Sequence, residues 1–146
     1  MVSLLMEGET GTVLQHNGGY QKVAQGTLNK LMTVLLTAEE IESGGLSIND
    51  VVTVSSNANA QTGAVVWLMP GEEITIEELL KSVIIGNAND ASVALAEIVG
   101  GNEEEFTGMM NARAFELGMR NTVFKNPAGY DCAGQYSTPV SYTHLT

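Results

Sequence analysis

The sequence feature that most restricts the fold of this chain is a series of helix start and stop signals in its middle part. Thr75-Ile76-Glu77-Glu78 is a capping box, and the helix that it opens is predicted to run to about Ile85. A second helix is predicted over residues 90–99. Asn102 is a good N-cap for a third helix, which Gly118 ends. These signals predict a helical block.

A longer helix and several short strands precede this block. Residues 27–43 carry apolar side chains at helical spacing, so a helix is predicted there, ended by Gly44-Gly45. Its apolar face consists of Leu28, Leu31, Met32, Leu35 and Leu36. Residues 2–6 and 12–15 predict a β-hairpin, residues 51–54 predict a short strand, and Met69-Pro70-Gly71 predicts a turn. The predicted order is a strand pair followed by helices.

The charge of the chain excludes one broad class of function. The 146 residues include 17 acidic and 6 basic side chains, for a formal net charge of −11. Nucleic-acid binding needs clustered Lys and Arg side chains, and the basic residues here are scattered, so no nucleic-acid partner is expected. The length fits one domain with a single core.

The sequence offers little support for a metal site, a disulfide or a membrane span. Cys132 is the only cysteine, His16 stands alone in a predicted loop, and His144 lies near the C-terminus. No apolar run approaches the roughly 20 residues of a transmembrane helix. Residues 1–6 lack the basic start of a signal peptide, so an extracytoplasmic protein is expected to have lost its leader from this sequence.

Residues 140–146 differ in character from the rest of the chain. They have no helical or strand periodicity, and they are similar to the translation of a transposase-type sequencing adapter. We expect that they derive from such an adapter and that the coding sequence was cut near Pro139. Residues 1–139 are then expected to be part of a longer domain, with residues 140–146 as a foreign tail.

Thr27 and Lys30 are the strongest candidates for chemistry. They lie three residues apart at the start of a predicted helix, so their side chains share a face. A hydroxyl at a helix N-terminus is well placed as an acyl acceptor, because the helix dipole and backbone N–H groups stabilise a developing oxyanion. A lysine one turn later can take the hydroxyl proton if burial lowers its pKa. Taken alone, the pattern is also typical of an N-capping threonine beside a solvated lysine.

An ordered series of motifs resembles the D-alanyl-D-alanine carboxypeptidase family. Residues 26–33, Gly-Thr-Leu-Asn-Lys-Leu-Met-Thr, are similar to the family's Ala-Ser-x-Thr-Lys-Leu-Met-Thr. Residues 87–91, Asn-Ala-Asn-Asp-Ala, are similar to its Ser-Gly-Asn-Asp-Ala. The series also includes Pro70-Gly71-Glu72, Leu117-Gly118-Met119, Asn121-Thr122, Asn126-Pro127, Gly129 and Tyr136-Ser137-Thr138. The resemblance covers residues 2–138, in order and at family spacing.

The resemblance implies a fold and the roles of four residues. The fold is the α/β, β-lactamase/transpeptidase-like fold, an antiparallel sheet flanked by helices with a helical subdomain, here incomplete because later strands are missing. By position, Thr27 stands for the serine that is acylated and Lys30 for the base. Asn87 and Asn89 stand for the second motif, in which the first residue relays protons and the second binds the substrate amide.

The resemblance also implies partners and a location. The implied partners are a peptidoglycan stem peptide ending in D-Ala-D-Ala, which loses its terminal D-alanine, and β-lactam antibiotics. Neither a metal nor an organic cofactor is implied. Proteins of this kind mature peptidoglycan outside the cytoplasm, secreted or anchored at the cell envelope. Any membrane association is expected to use segments that this sequence does not contain.

Three departures from the family pattern bear on activity. Thr27 replaces serine, and its methyl group crowds the attacking oxygen and restricts χ1. Asn87 replaces a hydroxyl with an amide, which does not easily relay a proton. The family's Lys-Thr-Gly, which recognises the substrate carboxylate and lines the oxyanion hole, does not occur in the sequence. We therefore expect this chain to be inactive on its own, and a longer parent to be either a slow enzyme or a non-catalyst.

Two alternative functions remain open from the sequence. A non-catalytic relative would bind stem peptides or another wall protein through the same groove. A β-lactamase would share the fold and the first motif, although the Asn-Asp-Ala and Leu-Gly-Met-x-Asn-Thr stretches are more similar to carboxypeptidases.

Several other residues are interpreted as structural. Asp90 is expected to support a helix start. Trp67 is expected to pack against the rest of the domain, with the lining of a substrate groove as the alternative. Cys132 is expected to take no part in function. The methionines expected in or near the core are Met32, Met69, Met109, Met110 and Met119.

Overall fold

The N-terminal hairpin consists of two antiparallel strands in the computed structural model, which describes residues 1–145. Strand β1 is Ser3–Met6 and strand β2 is Val13–Asn17. The Glu7 carboxylate holds the connecting turn by accepting hydrogen bonds from the backbone N–H groups of Glu9 and Thr10, at 3.0 and 2.6 Å. The predicted hairpin is confirmed, with β2 extending past the predicted end.

Helix α1, Asn29–Glu42, follows a short 3₁₀ turn, Gly26–Leu28. The predicted helix is confirmed, but its buried face differs from the predicted one. Leu28 and Leu31 are 47% and 51% exposed, respectively. The buried side chains are Asn29, Lys30, Met32, Thr33, Leu36 and Thr37. Met32 and Leu36 are buried as predicted. The prediction was wrong for Leu28 and Leu31, because periodicity sorts side chains by polarity and polar groups here turn inward to bind backbone carbonyls of another segment.

The helical block contains a second antiparallel strand pair and four helices. Their bounds are, in chain order, β3 (Val51–Thr53), α2 (Ser56–Asn59), β4 (Glu73–Thr75), α3 (Ile76–Ile84), α4 (Asn89–Gly100) and α5 (Glu103–Glu116). The predicted caps are confirmed, because the side chains of Thr75 and Asn102 accept the backbone N–H groups of Glu78 and Glu105 at 3.2 and 2.9 Å. Among residues 1–145, no helix combines the length and apolar character needed to cross a bilayer.

Helix α4 is central because it contributes to both parts of the core. One part joins α3 and α4 and includes the fully buried Ile76, Leu79 and Leu95. The other joins α1, α4 and α5 around Met32 and Phe106. The start of α4 is therefore fixed relative to the start of α1, and these two helix starts carry the first and second predicted motifs.

Residues 119–138 cross back over the start of α1 as an irregular segment. It is anchored by two isolated antiparallel bridges, Val123 to Tyr136 and Val23 to Ser137. Between them, the turn at residues 126–129 lies against the first turn of α1, where Asn29 donates to the Asn126 carbonyl at 2.9 Å.

Residues 139–145 form one helical turn, α6 (Pro139–Tyr142), and a 3₁₀ turn, Thr143–Leu145. The Thr138 hydroxyl accepts the backbone N–H of Ser141 at 3.2 Å, and proline occupies a first-turn position. The sequence pattern predicts no element here, because a one-turn helix depends on its cap and not on periodicity. The adapter origin of residues 140–146 and the domain limit at residue 139 stay predictions.

Candidate active site

Lys30 is the buried charged group around which the candidate site is built. Its side chain is 4% exposed on the first turn of α1, and Nζ donates a hydrogen bond to the Ala128 carbonyl oxygen at 2.8 Å. Burial lowers the pKa of Lys30 from 10.5 to about 8, because the ammonium loses hydration. The ion pairs found among residues 1–145 involve Lys81 and Arg113, so no carboxylate there offsets this burial.

A cavity of about 370 Å³ brings together three of the four predicted site residues, Thr27, Lys30 and Asn87. Apolar side chains complete its wall, contributed by Leu28, Leu31, Val34, Val83 and Ile84. The exposed Leu28 and Leu31 thus line this cavity instead of packing in the core. The mixture of an apolar wall with a few convergent polar groups is typical of small-molecule sites.

Thr27 lies in the 3₁₀ turn immediately before α1, with its side chain exposed. The helix was predicted to begin at Thr27, whereas the α-helical residues begin at Asn29. The hydroxyl nevertheless stands at the N-terminal end of the helix, where the dipole favours negative charge. Thr27 is therefore accessible, and its role as an acyl acceptor stays a prediction.

Asn87 occupies the opposite wall in an unusual backbone conformation. Its φ is +53°, a left-handed value that asparagine adopts more readily than most residues. The side chain is exposed, in the loop that joins α3 to α4.

Asn89 is placed differently from the other three predicted residues. Its side chain is 8% exposed and donates to the Thr62 carbonyl oxygen at 2.7 Å, while its backbone N–H donates to the Ala64 carbonyl oxygen at 2.7 Å. It is not among the residues that line the cavity. In the structure Asn89 holds the loop at residues 62–64, and its role in substrate binding stays a prediction.

The turn at residues 126–129 is a part of the site that sequence reasoning missed. Its successive carbonyls are bound by three side chains of α1, with Asn29 on Asn126 at 2.9 Å, Lys30 on Ala128 at 2.8 Å and Thr33 on Pro127 at 2.9 Å. The Asn-Pro-Ala-Gly sequence signals a turn, but nothing in it indicates which helix the turn contacts. These bonds explain why polar residues occupy the buried face of α1.

The whole chain matches one protein family. The family model described as D-alanyl-D-alanine carboxypeptidase matches residues 2–146. This chain belongs to that family. Among its relatives, D-alanyl-D-alanine carboxypeptidase DacF of Bacillus subtilis is 43% identical over 136 residues, which is 93% of this chain and 35% of that protein. The DacC enzyme of Escherichia coli is 36% identical over 92% of this chain and 35% of its own length. The chain thus spans about a third of these relatives.

Solved structures confirm the predicted fold for the part that this carboxypeptidase-family chain covers. The D-alanyl-D-alanine carboxypeptidase DacD from Francisella tularensis superposes with a TM-score of 0.96 at 32% identity, covering 99% of this chain and 35% of that one. Penicillin binding protein 5 from Haemophilus influenzae gives a TM-score of 0.94 at 28% identity, covering 99% and 43%. The β-lactamase/transpeptidase-like fold is therefore present here in part.

In this family member Asp90 organises more than a helix start. Its buried carboxylate accepts the backbone N–H groups of Val66 at 3.1 Å, Leu68 at 3.1 Å and Ala91 at 2.9 Å. Between the two anchored loop residues, Trp67 is 81% exposed with φ of +64°. The prediction that Trp67 packs was wrong, because the bonds to Asp90 turn that residue outward.

The methionine prediction holds only in part. Met32, Met110 and Met119 are fully buried, whereas Met69 is 62% exposed and Met109 36% exposed. Met69 leaves the core because it begins the turn in which Glu72 donates its backbone N–H to the Met69 carbonyl at 3.0 Å.

Metal-ligating side chains are dispersed in the described part of the chain. Residues 1–145 contain no group of three His, Cys, Asp or Glu side chains placed to hold an ion. His16 packs edge-on against Tyr20, with ring centroids 5.7 Å apart, and Cys132 is exposed.

Proposed function

We propose that this chain supplies the acyl-accepting part of a serine-type D-alanyl-D-alanine carboxypeptidase site, with threonine as the acceptor. The observation that supports it most is the cavity lined by Thr27, Asn87 and the buried Lys30. The family of the chain supplies the reaction type, and the relatives that span the full length are named for it.

In this proposal the Thr27 hydroxyl attacks the carbonyl of the penultimate D-alanine in a stem peptide. Lys30 accepts the hydroxyl proton as the C–O bond forms, and it then gives the proton to the nitrogen of the terminal D-alanine as the amide C–N bond breaks. Water attacks the resulting ester, which releases the shortened peptide and restores Thr27. Asn87 contacts the substrate from the opposite wall, and Asn89 keeps the loop behind it in place.

The lowered pKa of Lys30 supports its role as the base. With a pKa of about 8, roughly a tenth of the side chain is neutral at pH 7. An ordinary lysine with a pKa of 10.5 would be neutral in about one molecule in 3,000 under the same conditions. Burial thus raises the concentration of the competent base by a factor of several hundred.

We also propose that turnover requires a protein of the length of the relatives. The Lys-Thr-Gly segment, which in the family binds the substrate carboxylate and lines the oxyanion hole, is not in this sequence. Each such contact contributes about 3–4 kcal/mol of transition-state stabilisation, so the isolated chain should not turn over substrate. The proposed partners are stem peptides ending in D-Ala-D-Ala and β-lactams, met outside the cytoplasm at the cell envelope.

Trapping with a fluorescent penicillin tests the proposal on a protein of family length that carries these 146 residues. We expect a slow covalent adduct that is absent in Thr27→Ala. Thr27→Ser should acylate at least about tenfold faster, because the smaller nucleophile removes the methyl group next to the attacking oxygen. No adduct in the wild type or the serine variant at saturating drug would instead support a non-catalytic stem-peptide binder. Rapid hydrolysis of a chromogenic cephalosporin would support a β-lactamase.

A further inference from the structure

The Asn126 side chain closes the turn that lies on Lys30. Its Oδ1 accepts the backbone N–H groups of Gly129 and Tyr130 at 2.6 and 2.9 Å, and its Nδ2 donates to the Tyr130 carbonyl at 2.9 Å. The side chain therefore spans the turn and links its first residue to its last. Ala128 lies inside this closed loop, so the direction of its carbonyl depends on Asn126.

The same turn is fixed from outside at both ends. Gly129 lies so close to the Gly26 backbone that a Cβ atom there would be 2.0 Å from the Gly26 carbonyl oxygen. The buried Gln135 accepts from the Lys125 backbone N–H at 3.0 Å and donates to the Tyr130 carbonyl at 2.8 Å. With its ends held and its interior closed by Asn126, the turn presents the Ala128 carbonyl to Lys30 at one position.

We propose that Asn126 is a positioning residue for Lys30: by closing the turn at residues 126–129 it holds the Ala128 carbonyl over the ammonium and keeps water away. The proposal deepens the proposed function and rests on it, since it is that function that gives Lys30 a catalytic task. Asn126 acts on Lys30 through the turn and is not among the residues that line the cavity.

The chain offers a matched control for this proposal. Asn111 holds the neighbouring Phe124 in a similar way, with its Oδ1 accepting the Phe124 backbone N–H at 2.9 Å and its Nδ2 donating to the Phe124 carbonyl at 2.9 Å. Asn111→Ala therefore removes comparable amide-to-backbone bonds near the same segment without opening the turn over Lys30.

The test is an NMR titration of Lys30 in the 146-residue chain labelled with ¹³C at lysine Cε, with the signal assigned by its loss in Lys30→Met. We expect a midpoint near 8 in the wild type and in Asn111→Ala. In Asn126→Ala the midpoint should rise by about one pH unit or more toward 10.5, because the loosened turn admits water, which replaces the Ala128 carbonyl as acceptor and restores the hydration of the ammonium. A midpoint in folded Asn126→Ala that is unchanged or lower overturns the proposal.

A second variant decides the matter if Asn126→Ala fails to fold. Asn126→Ser keeps a hydroxyl that can accept one of the two N–H groups, so a smaller rise is expected and an unchanged midpoint again overturns the proposal. The titration does not depend on activity. Failure of penicillin trapping in the longer protein would overturn the proposed function alone. A Lys30 titration midpoint that is the same in the wild type and the Asn126 variants would overturn the positioning role alone.

Discussion

Gly129→Ala tests how much stability the contact between the turn and α1 provides. Gly129 has φ of +91°, so alanine introduces backbone strain of about 1 kcal/mol. Its Cβ would lie 2.0 Å from the Gly26 carbonyl oxygen, where ordinary contacts begin at 3.4 Å. The turn must therefore move by about 1 Å or more. That movement breaks the hydrogen bonds from Asn29, Lys30 and Thr33.

The expected loss follows from those contacts. The two neutral hydrogen bonds contribute about 1 kcal/mol each, whereas loss of the lysine bond is offset because the ammonium regains hydration when the turn moves. Together with the strain, Gly129→Ala should lower the free energy of unfolding by about 3 kcal/mol, a substantial share of the 5–15 kcal/mol that is typical of a domain.

Urea unfolding followed by circular dichroism measures this loss, and Gly134→Ala is the control. Gly134 has a similar φ of +84°, but the nearest atom to its Cβ position is Lys125 Cε at 3.7 Å. Its substitution should cost only the strain of about 1 kcal/mol. Equal losses in the two variants would refute the reasoning, because they would show that the turn's contact with α1 contributes nothing.

Three further predictions concern charged side chains. In the unfolded chain Lys30 has a pKa of 10.5 and keeps its proton up to that pH, whereas in the folded protein it releases the proton above about pH 8. The free energy of unfolding of the wild type should therefore rise by up to about 3 kcal/mol between pH 8 and pH 10.5. Lys30→Met should therefore be more stable than the wild type at pH 7, with the advantage lost by pH 10.5 in urea titrations. Asp90→Asn should cost about 2–3 kcal/mol and speed amide hydrogen exchange at Val66 and Leu68, since an amide NH₂ opposes their N–H groups; unaltered exchange would contradict this. Arg113→Ala should cost less than about 1 kcal/mol, and the cost should shrink in high salt, because its ion pair with a glutamate is about one-third exposed.

The part of the candidate site that could be predicted is the part carried by motifs in the order and spacing of the family. Thr27, Lys30 and Asn87 were identified from the resemblance to the family's motifs, and all three line one cavity in the structure. Asn89 was identified from the same pattern but faces the loop at Thr62. A motif shows which residue types occur at a given spacing. It does not show whether a side chain at the start of a helix faces the cavity or a neighbouring loop.

The sequence alone determined the family of this chain and the capped starts of two of its helices. Thr75 and Asn102 begin their helices by accepting backbone N–H groups three residues further on, and such contacts depend only on residues close together in the sequence. The tertiary structure decided how the Thr27-Leu28-Asn29-Lys30 segment is used. Lys30 is buried and its pKa lowered under the Ala128 carbonyl, 98 residues away, while Leu28 remains half exposed. Periodicity places leucine inside and lysine outside, and only a turn that returns from a distant part of the chain can supply the acceptors that reverse this order.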